Sequence, residues 1–460
     1  MTERATKGSR NLLAPQKATV ILGAGLTGLS AAYHLHKLGK PYFLFEKEAR
    51  AGGLCRSERR NGYTFDYTGH LLHLSRPESR VLLLGELGLG GLLASVERRS
   101  FVYSHGVYTH YPFQSHTYGL PLPVVLECVE GFVKAMLLAT QKPGGKDRNV
   151  DSGRPASFDR WIVDTFGRGI AKHFMRPYNQ KLWTVAPRNL TTEWMSRFVP
   201  RPSLHDVLSG ALADSNDNIG YNATFLYPLE GGIETLAKAF GRKVAVATGK
   251  NAVLLDVRRR TVHFEDGTQT GYGRLISTLP LTRLVDITAD VPPGIIRARK
   301  CLRAAGVYNL NIGVSGRDVS DKHWVYVPER QYPFYRFGFS HNFSSTQAPR
   351  GCSAIYAEVS YSKERPIDRR RIQRTVLDSL AHIGVLKESD KVAARFETNI
   401  PHAYVIYDVL RTPSVEEILA YYRSKDVTST GRWGAWCYGS MEDAIWQGAA
   451  AAHGSEDLAK

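Results

Sequence analysis

The residues Gly23-Ala24-Gly25-Leu26-Thr27-Gly28 follow a short apolar run, Ala18-Thr19-Val20-Ile21-Leu22, and after a helical stretch the chain reaches Phe43-Leu44-Phe45-Glu46. Strand, glycine turn, helix and acidic strand end, in that order, make a βαβ unit suited to a dinucleotide. Gly23 permits the tight turn, Gly25 lets backbone approach a pyrophosphate, and Gly28 lets helix pack on strand. The helix that Leu26 and Thr27 open offers its first N–H groups to phosphate charge, and Glu46 stands where it would hold a ribose hydroxyl.

Further glycine signals surround that unit. Gly52-Gly53 precedes Leu54, and the alternating stretch Tyr63-Thr64-Phe65-Asp66-Tyr67-Thr68 reads as a strand ending at Gly69-His70. Late in the chain, Gly431-Arg432-Trp433-Gly434-Ala435-Trp436 leads into an apolar helix through Ala444, Ile445 and Ala449. Glycine junctions near opposite ends of the chain indicate a cofactor longer than one nucleotide, gripped along its length, which suits FAD better than NAD. His70 follows a glycine where a flavin face could lie, although a histidine so placed reads, taken alone, as a packed core residue.

The elements that must position these groups follow from composition and pattern. A chain of 460 residues that is 43% hydrophobic buries a large core and divides into two or three domains. Its formal charge of +17 concentrates anions, whether nucleic acid, lipid or an acidic small molecule. No RNP, helix-turn-helix or zinc-finger pattern accompanies that charge, so no nucleic-acid partner is expected, and Arg258-Arg259-Arg260 and Arg369-Arg370-Arg371 read as solvated turns or faces. The five cysteines form no CxxC pair and no metal-ligand spacing, which suits a reducing compartment without a metal site. The apolar stretch 124–139 is interrupted by Glu127, Glu130 and Lys134, and residues 1–17 are polar and basic. No integral membrane association and a cytoplasmic location are therefore expected.

Residues 77–141 read as mostly helical apart from an aromatic hairpin of Phe101-Val102-Tyr103 with Val107-Tyr108, and 141–155 as a loop rich in Gly, Pro and charge. Ser157 is the expected N-cap of a helix carrying Phe158, Trp161, Ile162 and Phe166. Strands are expected at 253–257, 261–264 and 275–278, returning to the first sheet. A second, antiparallel sheet is expected over 306–404, built from 308–314, 324–327, 335–339 and 354–361 with a helix at 368–382.

Taken in order, Tyr111-Pro112-Phe113-Gln114, Phe174-Met175-Arg176-Pro177-Tyr178-Asn179-Gln180-Lys181-Leu182-Trp183, Asn222-Ala223-Thr224-Phe225, Pro333-Phe334-Tyr335-Arg336 and Gly431-Arg432-Trp433-Gly434 resemble UDP-galactopyranose mutase, the eukaryotic type in particular, over nearly the whole chain. The wider flavin superfamily, with amine oxidases and protoporphyrinogen oxidases, shares only the glycine motifs. The resemblance implies a flavoenzyme that interconverts the pyranose and furanose forms of UDP-galactose or a related nucleotide sugar without net redox change, through an adduct between reduced flavin N5 and the anomeric carbon. An FAD-dependent oxidoreductase of the amine oxidase or protoporphyrinogen oxidase type is the alternative.

By that resemblance, Arg197 and Arg336 flank the diphosphate and His70 lies at the flavin, with Arg98, Tyr111, Gln114, Phe174, Asn179, Trp183, Asn222, Trp324, Tyr326, Tyr404 and Tyr438 around the substrate. The flavin would be held by Gly23, Gly25, Leu26, Thr27, Gly28, Glu46, Lys47, Gly53, Leu54, Gly69, His70, Arg432 and Met441, with NADPH as one candidate reductant. The pattern departs from the eukaryotic type after Tyr438, where no asparagine stands four residues on, and at His73, where that type carries phenylalanine. The fold class expected is α/β, a Rossmann-like FAD-binding domain (16–76, 224–300 and 421–455) with an inserted helical substrate domain (77–223) and an antiparallel-sheet domain (301–420).

Overall fold

The computed structural model describes residues 18–141, 150–151, 154–155, 157–195, 198–214 and 223–455. The strand Thr19–Leu22 is buried along its whole length, as a parallel strand covered on both faces must be. It lies between Tyr42–Phe45 and Arg274–Ser277, Val427–Ser429 completes the sheet, and every pair is parallel. The helix Leu26–Lys37 packs on the C-terminal helix Met441–His453, whose start is set by a capping box of Ser440 with Asp443. Small residues let these two helices touch, since a Cβ on Gly448 would stand 2.2 Å from the Thr27 carbonyl oxygen. Leu38 is the C-cap of the first helix and is exposed.

A second sheet crosses the other half of the molecule. Its order is Lys391–Val405, Ala304–Ser315, Ser353–Tyr361, Arg336–Phe339, Trp324–Tyr326, Ser100–Ser104 and Val107–His110. Neighbours are antiparallel except Trp324–Tyr326 with Ser100–Ser104. The expected antiparallel sheet is thus present, and it recruits the aromatic hairpin expected near residue 101. The helical reading of 77–141 holds only at its ends. Helix Leu122–Thr140 forms, but Leu93–Glu97 is a strand paired with Thr224–Pro228, because the leucine run before it is broken at Gly88, Gly90 and Gly91.

Between 252 and 271 the expectation of a return to the first sheet fails. Only Arg274–Ser277 joins it; Ala252–Asp256, Thr261–Phe264 and Gln269–Gly271 form a separate antiparallel sheet. The Asp256 carboxylate accepts from the Arg258 and Arg259 N–H groups and closes a hairpin turn, and a turn that short can join only antiparallel strands. The helix expected after Ser157 runs over Phe158–Ile170 and buries Phe158, Trp161, Ile162 and Phe166, although the Ser157 hydroxyl caps no N–H group. Most of the loop expected at 141–155 lies outside the described residues.

The glycine turn is the tightest point of the first domain. A Cβ on Gly28 would stand 1.9 Å from the Gly23 carbonyl oxygen, backbone that cannot swing away. Gly28→Ala is expected to lower the unfolding free energy by about 2 kcal/mol; an unchanged denaturant midpoint would contradict this packing.

Candidate functional site

At the carboxyl end of the parallel strands, Gly23 takes φ +93 and Gly25 starts the helix with no side-chain cap. Gly25 and Gly52 form a parallel bridge, and a Cβ on Gly53 would stand 3.1 Å from the Gly25 Cα. Two glycine segments therefore lie backbone to backbone beside an uncapped helix start, a cradle of main-chain N–H groups that fits the diphosphate of a dinucleotide. The buried Glu46 carboxylate accepts from Ala24 N–H at 2.7 Å and Glu48 N–H at 3.0 Å, so it braces the turn at whose rim it stands. Leu26 and Thr27 are buried in the first helical turn and Gly431 packs against Thr27. Leu54 is half-buried, and Met441 Sδ lies 3.5 Å from Cys55 Sγ. Lys47 faces solvent, paired with Glu48 at 3.4 Å.

The next wall is the segment leading to His70. Asp66 is buried, and its carboxylate accepts from Ser57 Oγ (2.6 Å), Tyr227 OH (2.5 Å) and Ile233 N–H (3.1 Å). Burial still pushes its pKa up to about 6. Beyond it the chain is pinned to the second sheet: Asn311 donates to Asp66 O, Thr398 to Tyr67 O, and Gly69 N–H donates to Glu358 Oε1 at 3.1 Å. Gly69 has room for no side chain, since a Cβ there would stand 2.6 Å from the Tyr356 hydroxyl. His70 Nδ1 lies 3.1 Å from both Thr68 Oγ1 and Thr68 O. Burial, with Arg336 and Arg432 nearby, holds the imidazole pKa down to about 4, so the ring is neutral.

Opposite that segment, Arg336 makes a bidentate pair with Glu358, Nε to Oε2 at 3.0 Å and Nη2 to Oε1 at 2.8 Å. Glu358 is fully buried, whereas the Arg336 side chain keeps 17% of its surface open. Burial opposes the charge on Arg336, but Glu358 and the surrounding phenols outweigh it and hold the pKa well above the ordinary value. The pair occupies one edge of the guanidinium and leaves Nη1 for an incoming anion. Tyr335 and Tyr404 share a hydroxyl contact of 3.2 Å, and burial raises both pKa values, Tyr404 to about 12. Tyr438 is raised by the same cause, so all three are O–H donors at neutral pH.

An aromatic wall completes the site. Arg98, almost fully buried, sits over the Tyr111 ring at 5.0 Å, Tyr111 packs on Tyr326 at 4.7 Å, and Tyr326 meets Tyr178 edge-on at 5.5 Å. Phe174 stacks between Phe113 and Tyr178. Trp183 is buried against Tyr404 and Tyr438, and donates to Asn179 Oδ1 at 3.2 Å. Arg432 lies under Tyr404 and Tyr438 and donates to the carbonyls of Ala403 and Gly439, joining this wall to the glycine cradle.

Two amides expected around the substrate are partly spent inside the protein. Asn179 donates to Met175 O, and Gln114 Nε2 donates to Pro200 O at 2.8 Å. Gln114 Oε1 and Trp324 Nε1 are buried with no hydrogen-bond partner among the described residues, and such groups call for a ligand or water. The catalytic expectation Arg197 and the substrate expectation Asn222 lie outside the described residues. Sequence reasoning missed Glu358, Tyr178, Tyr335 and Asp66. Glu358 had a signal: it is the one charged residue in the strand Ser353–Tyr361.

Comparison with known proteins agrees with this layout. Residues 21–87 match the NAD(P)-binding Rossmann-like domain. Protoporphyrinogen oxidase 2 of Arabidopsis thaliana is 38% identical over 73 residues, covering 16% of this chain and 14% of that protein. Coproporphyrinogen III oxidase of Mycobacterium tuberculosis is 23% identical over 307 residues, covering 64% of this chain and 66% of that protein. The chain thus spans a small part of the first of these curated relatives and less than two thirds of the second. The crystal structure of a putrescine oxidase bound to putrescine shares the fold at TM-score 0.65 and 16% identity, over 96% of this chain and 99% of that one. The crystal structure of reduced UDP-galactopyranose mutase superposes at TM-score 0.86 with 27% identity, over 97% of this chain and 96% of that one. The chain therefore has the fold of UDP-galactopyranose mutase, built on the Rossmann-like domain of the FAD-dependent oxidoreductase superfamily, and the resemblance in its motifs extends across the whole structure.

Proposed function

We propose that this protein is a flavin-dependent mutase that interconverts UDP-galactopyranose and UDP-galactofuranose, or a related nucleotide sugar. The observation that carries the reading is Arg336, a partly open guanidinium locked by a fully buried carboxylate, among neutral tyrosine hydroxyls and inside a mutase fold. A leaving diphosphate gathers charge as the glycosidic bond breaks, and preorganised donors stabilise it without reorganising. Arg336 supplies the charge, joined in this reading by Arg197, while Tyr404 and Tyr438 supply O–H groups. The aromatic wall of Tyr111, Tyr326, Tyr178 and Phe174 excludes water and offers faces to a uracil ring. The cradle of Gly23, Gly25, Gly53 and Glu46 would hold FAD, with Gly69 and His70 at its reactive end. Bound and reduced, the flavin supplies a nucleophile for the anomeric carbon. NADPH is one candidate reductant in this reading.

Similarity to coproporphyrinogen III oxidase over 64% of the chain favours a second reading, an FAD-dependent oxidoreductase. It requires substrate itself to reduce the flavin.

Arg336→Lys keeps a cation beside Glu358 but removes the planar fork. It is expected to lower turnover of reduced enzyme about 100-fold while flavin absorbance stays at the wild-type ratio; wild-type turnover would contradict the assignment. The depressed pKa of His70 has its own signature. As pH falls through about 6.5 the unfolded chain takes up this proton first, so stability present above that pH is lost progressively down to about 4. Between pH 7 and pH 5 wild type is expected to lose about 2 kcal/mol more than His70→Gln; equal losses in urea titrations would contradict a neutral His70.

A further inference from the structure

Lys181 stands in the last turn of the helix Arg176–Trp183 and is 3% exposed, yet no carboxylate pairs with it among the described residues. Its ammonium donates instead to two main-chain carbonyls, Val327 O and Glu329 O, each at 2.8 Å. Burial holds its pKa well below the ordinary lysine value. A buried cation without a carboxylate is costly, and an apolar side chain would fill the same space at no such cost.

The two carbonyls belong to the turn that joins Trp324–Tyr326 to Arg336–Phe339. Tyr326 precedes that turn, Tyr335 ends it, and Arg336 is the first residue after it. Helix Arg176–Trp183 carries the other wall of the site, through Tyr178, Asn179 and Trp183. The same turn is tied at its rim: Arg365 donates to Lys181 O at 3.1 Å and to Pro333 O of the turn at 3.5 Å, Arg330 donates to Gln180 Oε1 at 3.0 Å, and Glu329 Oε1 accepts from His105 N–H at 2.6 Å. The rim contacts are more open to solvent, whereas the Lys181 ammonium lies in the interior.

We propose that Lys181 is a positioning residue that staples the turn carrying Tyr335 and Arg336 to the helix carrying Tyr178, Asn179 and Trp183, and so sets the distance between the diphosphate clamp and the nucleoside wall. The inference rests on reading Arg336 as the diphosphate clamp. Glu358 fixes the direction of the Arg336 guanidinium from one side; Lys181 fixes the backbone that bears it from the other. A ligand that spans both walls needs the staple, whereas a ligand held by the helix wall alone does not.

The test measures UDP and UMP affinities of the full-length flavin-loaded protein for wild type, Lys181→Met and Arg336→Lys. UMP reports chiefly the nucleoside wall, and the preference for UDP over UMP reports the clamp. Both variants are expected to lose at least fivefold of that preference, with UMP affinity within twofold of wild type and flavin content unchanged. General loosening of the fold would weaken both ligands alike and overturn the proposal. So would a preference kept within twofold in Lys181→Met while Arg336→Lys loses it. An undiminished preference in Arg336→Lys would overturn the diphosphate reading itself, and the staple with it. Lys181→Gln, which keeps N–H donors on a shorter neutral side chain, serves where Lys181→Met does not fold: a preference lowered at least twofold supports the proposal, and the wild-type preference overturns it.

Discussion

The carboxylate of Glu358 joins parts of the chain that lie far apart in sequence. It accepts both forks of Arg336 and the N–H of Gly69, which stands 289 residues before it. A fully buried carboxylate is tolerable only with such partners, because removing any of them leaves charge in a medium that cannot solvate it. The pair therefore constrains two surfaces at once. It aims the guanidinium at the cleft, and it presses the segment ending at His70 onto the face of the large sheet. Asn311 and Thr398 donate to that segment from neighbouring positions on the same face, which spreads the constraint over three strands.

Around this bridge the chemistry divides by type of contact. The side proposed to hold the cofactor is made of backbone: glycines brought together, an uncapped helix start, and Glu46 spent on main-chain N–H groups. Main-chain donors suit a diphosphate whose position never changes through a reaction. The side proposed for substrate is made of side chains, with Arg336, Arg98 and the tyrosines placed to supply charge and hydroxyls. Arg432 bridges the two sides, held by backbone carbonyls on one edge and lying against Tyr404 and Tyr438 on its face. The net positive charge of the chain adds a field that favours an anionic substrate at any ionic strength low enough to leave it unscreened.

Much of this was legible in the sequence because it is enforced locally. The glycines at 23, 25 and 28 obey backbone sterics that no distant residue can change, and the strand and helix around them followed. The amphipathic helix at Phe158–Ile170 and the hairpin at Ser100–His110 were equally local. What escaped notice depends on partners far along the chain. Glu358 sits in a strand that is otherwise apolar or hydroxyl-bearing and almost wholly buried, and its role appears only when Arg336 lies opposite it in register. The separate sheet of residues 252–271 was read as returning to the first because its strands carry the right apolar pattern, which specifies burial but not pairing. Nothing within the helix signals the place of Lys181, since both its acceptors are carbonyls 146 and 148 residues away.

The central claim is that a fold shared with oxidases here serves a reaction without net redox change, with its reduced cofactor regenerated in each cycle. The most direct measurement incubates the purified flavoprotein with UDP-galactopyranose and with UDP-galactofuranose, with and without prior reduction by dithionite, and follows both sugars by chromatography. The account predicts interconversion in both directions by reduced protein alone, with no flavin oxidation by substrate. No change in either nucleotide sugar with reduced protein, or equal conversion by oxidised protein, would contradict it.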